Sequence, residues 1–302
     1  MQERKFAIQK ATRYFRARRA ATPGDGMRIV ITGKGGVGKT TTCAILSSLF
    51  AEGGLQVLAV DEDPQQNLAF SLGYPPERAS VIVPLAKNAS YIEEKVGVPS
   101  GAGRGGMLRL NPQVSDVVDR FGITIDDHIS LLVMGSVTAA AGGCLCPENA
   151  LLGSVLRYIR LRRNEVILMD TQAGVEHFGR AMSAGFSQAV VVTEPSFNAY
   201  SVAEHSASLA RELGIRHVHL VVNKVRSEAD IRKTERLSGG GVRFTSVHYI
   251  PYNEEIIESE PDVRSIVLGR SENPVAESLR DLCLDICAAS EKSERDIISR
   301  PS

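Results

Sequence analysis

The hydrophobic residues of the chain fall into short apolar runs that alternate with longer segments of mixed polarity. Almost every residue in such a run is apolar, which is typical of parallel strands that are buried on both faces of a sheet. The predicted strands are Met27–Ile31, Leu55–Val60, Ile129–Met134, Val166–Met169, Ala189–Thr193, Val218–Val222 and Val247–Ile250. Because predicted helices separate them, the pattern indicates an α/β fold, with a mostly parallel, doubly wound sheet and helices on both faces.

The segments between these runs predict the helices. The first helix includes the apolar stretch from Thr42 to Leu46. The other predicted helices are Tyr91–Lys95, Asn111–Phe121, Pro147–Arg162, Asn198–Leu213 and Ser227–Leu237. A last helix carries Cys283 and Cys287, which are four residues apart and share one face, so we expect both thiols to pack in the core.

Length and composition predict one globular domain with an appendage at each end. The 302 residues are 43% hydrophobic, which is enough for one large core. We expect residues 27–290 to form the domain, residues 291–302 a loose tail and residues 1–26 a basic flexible extension. The extension could also be a basic surface helix that seeks membrane or nucleic acid, or the product of a misassigned start, because Met27 opens the first strand.

Charge and cysteine content limit the partners and the compartment. Lys plus Arg equals Asp plus Glu at 35 each, so no overall field attracts nucleic acid or anionic lipid. No apolar run approaches the ~18 residues that a membrane-spanning helix needs. The five cysteines, without a secretory segment, predict a reducing compartment, the cytoplasm. We therefore expect neither a nucleic-acid nor a membrane partner.

The stretch GKGGVGKTT lies between the first predicted strand and the first helix. This is the order of a P-loop, whose backbone N–H groups surround the phosphates of a nucleoside triphosphate. Lys39 would add a positive charge, and the Thr40 hydroxyl would bind Mg²⁺. The predicted nucleotide-binding residues of this loop are Gly33, Lys34, Gly35, Gly36, Val37, Gly38, Lys39, Thr40 and Thr41.

Carboxylates follow two of the predicted strands. Asp61 and Asp63 come after the second strand, and Asp170 ends the strand Val166–Met169. Ligands of open α/β sheets bind at the carboxyl ends of the strands, so we expect these acids beside the glycine loop. We assign Asp63 to the attacking water, Asp61 to Mg²⁺ or the loop, and Asp170 to Mg²⁺ as a Walker B acid. The alternative is a polar turn in which Asp63-Pro64 starts the next helix.

Two further strand ends are predicted to contact the base. Asn223 ends one strand, and its carboxamide can pair with the amino group and a ring nitrogen of adenine. Pro251 ends the next strand and can form a wall of the base pocket. Loop polarity alone would also explain both residues.

Cys144 and Cys146 are separated by a single residue. In an extended segment such side chains share a face, so both sulfurs can bind one soft cation, and Pro147 is typical of the first turn of a helix. Two thiolates fill half of a tetrahedral site, and a two-fold dimer would supply four. Two buried small side chains or a redox pair are the alternatives.

Several motifs make the chain similar to a known family. They are GKGGVGKTT, VDEDPQQNLAFSLG, RLNPQVSDVVDRFG, GGCLCPENALL, DTQAGVEHFGR, VVNKV and IPYNEEI. Together, over about residues 27–289, they resemble the CooC-type nickel-insertion ATPases that mature carbon monoxide dehydrogenase. These belong to the SIMIBI class of P-loop NTPases, with MinD, ParA and the nitrogenase iron protein.

The resemblance implies an ATP-hydrolysing nickel metallochaperone that forms a homodimer with nucleotide and metal. Its client would be apo carbon monoxide dehydrogenase, its cofactors ATP and Mg²⁺, and its cargo Ni²⁺, although Zn²⁺ suits the same thiols. Lys34 matches the lysine that in this class reaches the nucleotide of a second protomer; the alternative is a solvated surface lysine. With Lys39, Asp61 and Asp63 it makes up the predicted catalytic set.

Two features depart from the family pattern. Gln172 stands where the DxEAG form has an acid, and residues 1–26 have no counterpart. Two other functions remain open. A ParA- or MinD-like positioning ATPase would need a basic surface or a terminal anchor for DNA or membrane. An iron–sulfur carrier would hold its cluster by cysteines far apart in sequence, unlike Cys144 and Cys146.

Overall fold

The computed structural model describes residues 26–97, 113–135, 146–159, 161, 164–172, 185–238, 242–269 and 273–298. Within these ranges the chain forms one eight-stranded sheet. The strands are β1 (Met27–Gly33), β2 (Gln56–Asp61), β3 (Ile123–Thr124), β4 (Ile129–Val133), β5 (Glu165–Asp170), β6 (Gln188–Thr193), β7 (His217–Val225) and β8 (Ser246–Pro251). Their order across the sheet is β3-β4-β2-β5-β1-β6-β7-β8.

All the predicted strands are present, and every pair that they form is parallel. The eighth strand, β3, was not predicted. It lies at the edge of the sheet and pairs antiparallel with β4. The predicted α/β fold class is therefore confirmed.

Helices occupy most of the connections. They are α1 (Lys39–Glu52), α2 (Asn67–Ser71), α3 (Pro76–Ala79), α4 (Ala89–Val96), α5 (Val117–Phe121), α6 (Cys146–Tyr158), α7 (Phe197–Glu212), α8 (Glu228–Leu237), α9 (Glu254–Ser259), α10 (Ser265–Leu268) and α11 (Pro274–Ile298), with a 3₁₀ turn at Leu85–Lys87. Within the described residues, no helix is both long and apolar enough to cross a bilayer.

Two helix predictions need correction. The helix expected over Asn111–Phe121 begins only at Val117, because residues 113–116 are not helical. The helix expected to reach Arg162 ends at Tyr158. Helix α11 extends to Ile298, into the segment 291–302, whose role as a loose tail stays a prediction.

The sheet is buried on both faces because alternate residues of a strand enter different cores. In β1, Ile29 and Ile31 belong to a cluster that includes residues of α1 and α11. Val30 belongs to a second cluster, with residues of α6 and α7. Cys283 and Cys287 are buried in the first cluster, as predicted.

The strand register brings the ends of several strands to one edge of the sheet. Asp170 of β5 lies beside Ile31 of β1 on one side and beside Asp61 of β2 on the other. Gly33, the last residue of β1, lies beside Val192 of β6. The glycine loop, the acids and the β6–α7 connection therefore share the carboxyl edge.

Candidate nucleotide-binding site

The glycine loop runs from the end of β1 to the start of α1, and two of its glycines are needed where they stand. Gly33 has φ +145°, and a Cβ there would lie 2.1 Å from the Val192 carbonyl oxygen. Gly38 has φ +98°, and a Cβ there would lie 2.4 Å from Nδ2 of Asn223. A side chain at position 33 would push the backbone of β6 away from the loop. At position 38 it would displace the Asn223 side chain and would have to adopt an unfavourable φ, so both positions favour glycine.

Lys39 is buried at the end of the glycine loop, where α1 begins. Its ammonium donates to the backbone carbonyl of Lys34 at 3.2 Å. Burial lowers the pKa of Lys39, and the carboxylates of Asp170 and Asp63 oppose that shift. A cation in this place can bind the phosphates of a nucleotide. Lys34 is half-buried, and its role across a dimer stays a prediction.

Thr40, in the first turn of α1, lies beside Asp170, the last residue of β5. The Thr40 hydroxyl donates to Asp170 Oδ2 at 2.6 Å, and Asp170 Oδ1 is buried without a partner among the described residues. Burial raises the pKa of Asp170 to about 7, Thr40 and Lys39 oppose this rise, and Asp63 adds to it. A hydroxyl and an unpaired carboxylate oxygen are ligands that suit Mg²⁺, although its binding here stays a prediction.

Asp61 and Asp63 have different surroundings. Asp61 is fully buried: its Oδ1 accepts from the Asp63 amide at 2.9 Å and its Oδ2 from the Leu68 amide at 3.1 Å. Burial and Asp170 raise the pKa of Asp61. Asp63 is half-buried and accepts from the Gln65 amide at 2.9 Å. Asp61 therefore anchors the turn and the start of α2, a helix that begins at Asn67 rather than at Asp63-Pro64.

Asn223 and Pro251, which were predicted to contact the base, contact other residues of the chain. Asn223 Nδ2 donates to the Val37 carbonyl at 2.8 Å, and its Oδ1 accepts from the Lys224 amide at 2.9 Å. Pro251 is half-buried and pairs with Val225. Next to that pair, the Arg226 guanidinium lies 3.8 Å from the centre of the Tyr252 ring. Adenine contact by Asn223 and Pro251 stays a prediction.

Sequence reasoning missed Glu62. This side chain is 5% exposed, and its Oε2 has no partner among the described residues. Burial and Asp170 raise its pKa. Strand alternation directs Glu62 away from Asp61 and Asp63, toward the second core. The sequence feature that could have identified Glu62 is the run of three consecutive acids at a strand end, because in an extended segment three such side chains cannot all face the same ligand.

The thiol pair is largely outside the described residues. Cys144 falls outside them, and Cys146 is the first residue of α6, in agreement with the expected helix start near Pro147. The chain approaches the pair from the end of β4, where the Met134 and Gly135 amides donate to the Asp61 carbonyl at 2.8 and 3.1 Å. Within the described residues, no three His, Cys, Asp or Glu side chains lie close enough to hold a metal ion.

Gln172 lies just after β5, where the family form has an acid. It is half-buried, and its Oε1 is shielded from solvent without a hydrogen-bond partner in the described part of the chain. The segment that follows, residues 173–184, lies outside the described residues.

Comparisons with known proteins place the chain in a family. The CobQ/CobB/MinD/ParA nucleotide binding domain matches residues 29–264. An uncharacterized ATP-binding protein of Methanocaldococcus jannaschii is 40% identical over 239 residues, which are 78% of this chain and 88% of that protein. The carbon monoxide dehydrogenase accessory protein CooC of Rhodospirillum rubrum is 40% identical over 207 residues, which are 68% and 77% of the two chains. The crystal structure of the cell division ATPase MinD of Pyrococcus furiosus aligns with a TM-score of 0.58 and 22% identity, over 89% of this chain and 99% of that one, which supports the fold.

Proposed function

Because the chain belongs to the CobQ/CobB/MinD/ParA nucleotide-binding family, a family of P-loop ATPases, we propose that it uses ATP to insert nickel into an enzyme. In this proposal two identical subunits associate with ATP and Mg²⁺, hold one Ni²⁺ between them and release it to apo carbon monoxide dehydrogenase. The match to a carbon monoxide dehydrogenase accessory protein supports this client.

One observation carries the proposal. The Asp61 carbonyl accepts the amides of Met134 and Gly135, so the end of β4, from which the chain continues toward Cys144 and Cys146, is hydrogen-bonded to the end of β2, which bears Asp61. A change at the γ-phosphate that moved the end of β2 would also move Met134 and Gly135, where the segment toward Cys144 and Cys146 begins. Metal binding and nucleotide state can thereby be coupled, as a metallochaperone requires.

The described residues have separate roles in nucleotide chemistry. Lys39 and the loop amides would bind the phosphates, while the Thr40 hydroxyl and the Asp170 carboxylate would hold Mg²⁺, which neutralises phosphate charge. Asp63 would orient the water whose oxygen bonds to the γ-phosphorus as the bond to the β–γ bridging oxygen breaks. The products are ADP and inorganic phosphate. Lys34 would bind the phosphates held by the other subunit.

The cargo site follows from the chemistry of the thiols. Cys144 and Cys146 supply two thiolates in each subunit, and a two-fold axis would combine them into four. Four thiolates suit Ni²⁺ and also Zn²⁺, so the physiological cargo is set by supply and client as well as by affinity.

The test is the amount of metal bound per chain under anaerobic, reducing conditions. With ATP and Mg²⁺ we expect one Ni²⁺ per two chains, and none in the variant with Cys144→Ser and Cys146→Ser. That variant should bind ATP like the wild type. The matched control carries Cys283→Ala and Cys287→Ala, which removes two thiols from the core face of α11 and should leave metal binding intact.

Two results would contradict the proposal. One is a monomer that binds one Ni²⁺ per chain at full affinity with every nucleotide. The other is full metal binding after both Cys144 and Cys146 have been replaced. Separately, co-sedimentation with DNA or vesicles in the presence of ATP would favour a positioning ATPase.

A further inference from the structure

Two consecutive carbonyls of the glycine loop are bound by the end of β7. The Lys224 ammonium donates to the Gly36 carbonyl at 2.6 Å. The Asn223 side-chain amide donates to the Val37 carbonyl at 2.8 Å. Neither contact was expected from the sequence, which placed Asn223 against the base.

These bonds fix the orientation of two peptide groups. A trans peptide is planar, and its N–H points away from its C=O. When Lys224 holds the Gly36 carbonyl, the Val37 N–H points to the opposite side, and the Asn223 bond to Val37 does the same for the Gly38 N–H. Backbone N–H groups of such a loop bind nucleotide phosphates, so the two bonds set the direction of two of the donors.

The structure holds Lys224 and Asn223 in place for these contacts. Lys224 has φ +60°, a left-handed conformation that is unfavourable for a lysine and that the surrounding contacts must stabilise. Its ammonium also lies 3.6 Å from Oε2 of Glu194, in the connection between β6 and α7. Asn223 approaches the loop closely, since a Cβ at position 38 would lie 2.4 Å from its Nδ2.

We infer that Lys224 is a positioning residue, which acts with Asn223 to hold the Gly36–Val37 and Val37–Gly38 peptides in the orientation that binds phosphate. This role rests on the proposed nucleotide binding. It extends that proposal, because it gives both residues a role on the phosphate side of the ligand. The chemistry recognised is therefore the diphosphate group itself.

The test compares ligands with and without a base. Lys224→Met removes the ammonium and keeps most of the side-chain length, and Lys233→Met is the matched control on the exposed face of α8. Calorimetric titrations with ATP, ADP and inorganic pyrophosphate, each with Mg²⁺, are run on both variants and the wild type. We expect Lys224→Met to weaken all three ligands by about tenfold, the size expected for loss of one hydrogen bond from a charged donor. The control should bind all three like the wild type.

A second set of variants separates positioning from folding. Lys224→Arg keeps a cation that can reach the Gly36 carbonyl, and we expect its pyrophosphate affinity to be closer to the wild type than that of Lys224→Met. Glu194→Gln keeps the bond to Gly36 but loses the ion pair, and we expect a loss of about twofold. Thermal unfolding without ligand should differ little among these variants.

The outcomes distinguish the two proposals. If the wild type binds no ATP, the proposed function fails. If the wild type binds ATP and Lys224→Met binds pyrophosphate equally well, the positioning role fails while the proposed function stands. A loss confined to ATP and ADP would also overturn the role, because Lys224 would then act on the nucleoside.

Discussion

The Thr40 hydroxyl and the Asp170 carboxylate are joined by a hydrogen bond of 2.6 Å, although 130 residues separate them in the chain. This bond connects the start of α1 to the end of β5 and leaves Oδ1 of Asp170 unpaired within the described residues. The two side chains thus place two oxygen atoms side by side, and their role as Mg²⁺ ligands stays a prediction.

The first prediction concerns this pair. Asp170→Asn should lower ATP turnover by at least about a hundredfold, because a bound metal ion contributes several kcal/mol to the transition state and ~1.4 kcal/mol is a factor of ten. Stability without ligand should not fall, since burial already raises the pKa of Asp170 to about 7 and a neutral amide avoids that cost. Phosphate release and urea unfolding measure the two effects. Asp119→Asn, at an exposed position of α5, is the control, and equal turnover in both variants would exclude Asp170 from the reaction.

The second prediction contrasts two glycines of the loop. Gly33→Ala should lower the free energy of unfolding by about 3 kcal/mol or more, because its Cβ would overlap the Val192 carbonyl and separate β1 from β6. Gly36→Ala should cost only about 1 kcal/mol, since a Cβ there meets no atom within 4 Å and only its φ of +77° is unfavourable. Urea unfolding of both variants measures the difference. Equal losses would mean that backbone conformation, not the approach of β6, requires Gly33.

The third prediction concerns the two lysines of the loop. Lys34→Ala should keep ATP affinity within a few-fold and abolish both nucleotide-dependent dimers and turnover, because its proposed contact is with the partner's nucleotide. Lys39→Ala should lose ATP binding itself. Light scattering with a non-hydrolysable ATP analogue, together with calorimetry, separates these effects. If Lys34→Ala weakens ATP binding in the monomer as much as Lys39→Ala does, Lys34 acts within its own subunit.

The fourth prediction concerns pH and a buried histidine far from the loop. His219 is fully buried between Gln188 Oε1 at 2.9 Å and Ser246 Oγ at 2.8 Å. Burial lowers its pKa to about 3, and the nearby His248 and His217 add to the shift. Between pH 6.5 and 3 the unfolded chain therefore binds a proton that the folded chain does not, so stability is present above 6.5 and is lost as the pH falls.

His219→Gln should remove this part of the pH dependence. From pH 6.5 to 5.5 the wild type should lose about 1 kcal/mol more stability than the variant, as expected for one group with an unfolded pKa near 6.5. Urea unfolding at the two pH values measures it. The pKa of His248 is also lowered by burial, and His248 is present in both proteins. Parallel stability curves would show that His219 takes up its proton alike in the folded and unfolded chains, so that burial does not lower its pKa.

The sequence predicted the central strands because both of their faces are buried, which requires nearly continuous apolar residues. It did not predict β3, whose Thr124 is exposed at the sheet edge and carries no such signal. The short helices α3 and α10 were missed because they span about one turn, too little for a helical period.

Within the candidate site, the sequence predicted the features that depend on order along the chain better than the contacts between residues far apart in the chain. The P-loop motif placed the loop between β1 and α1, and the strand ends placed Asp61 and Asp170 beside it. The use of Asn223 was not predictable, because its bond to Val37 joins residues 186 apart and depends on how β7 lies against β6. The magnesium, metal and dimer roles stay predictions.

The bonds from Asn223 and Lys224 to the loop also have a consequence for the synthesis of the chain. The glycine motif leaves the ribosome early, before β6 and β7 have been made. Until residue 224 is available and β7 has docked, the Gly36 and Val37 carbonyls lack these partners, and the nascent chain carries a complete motif with an unfinished phosphate cradle. Nucleotide affinity, measured on stalled nascent chains of increasing length, would then report the chain length at which β7 docks beside the glycine loop.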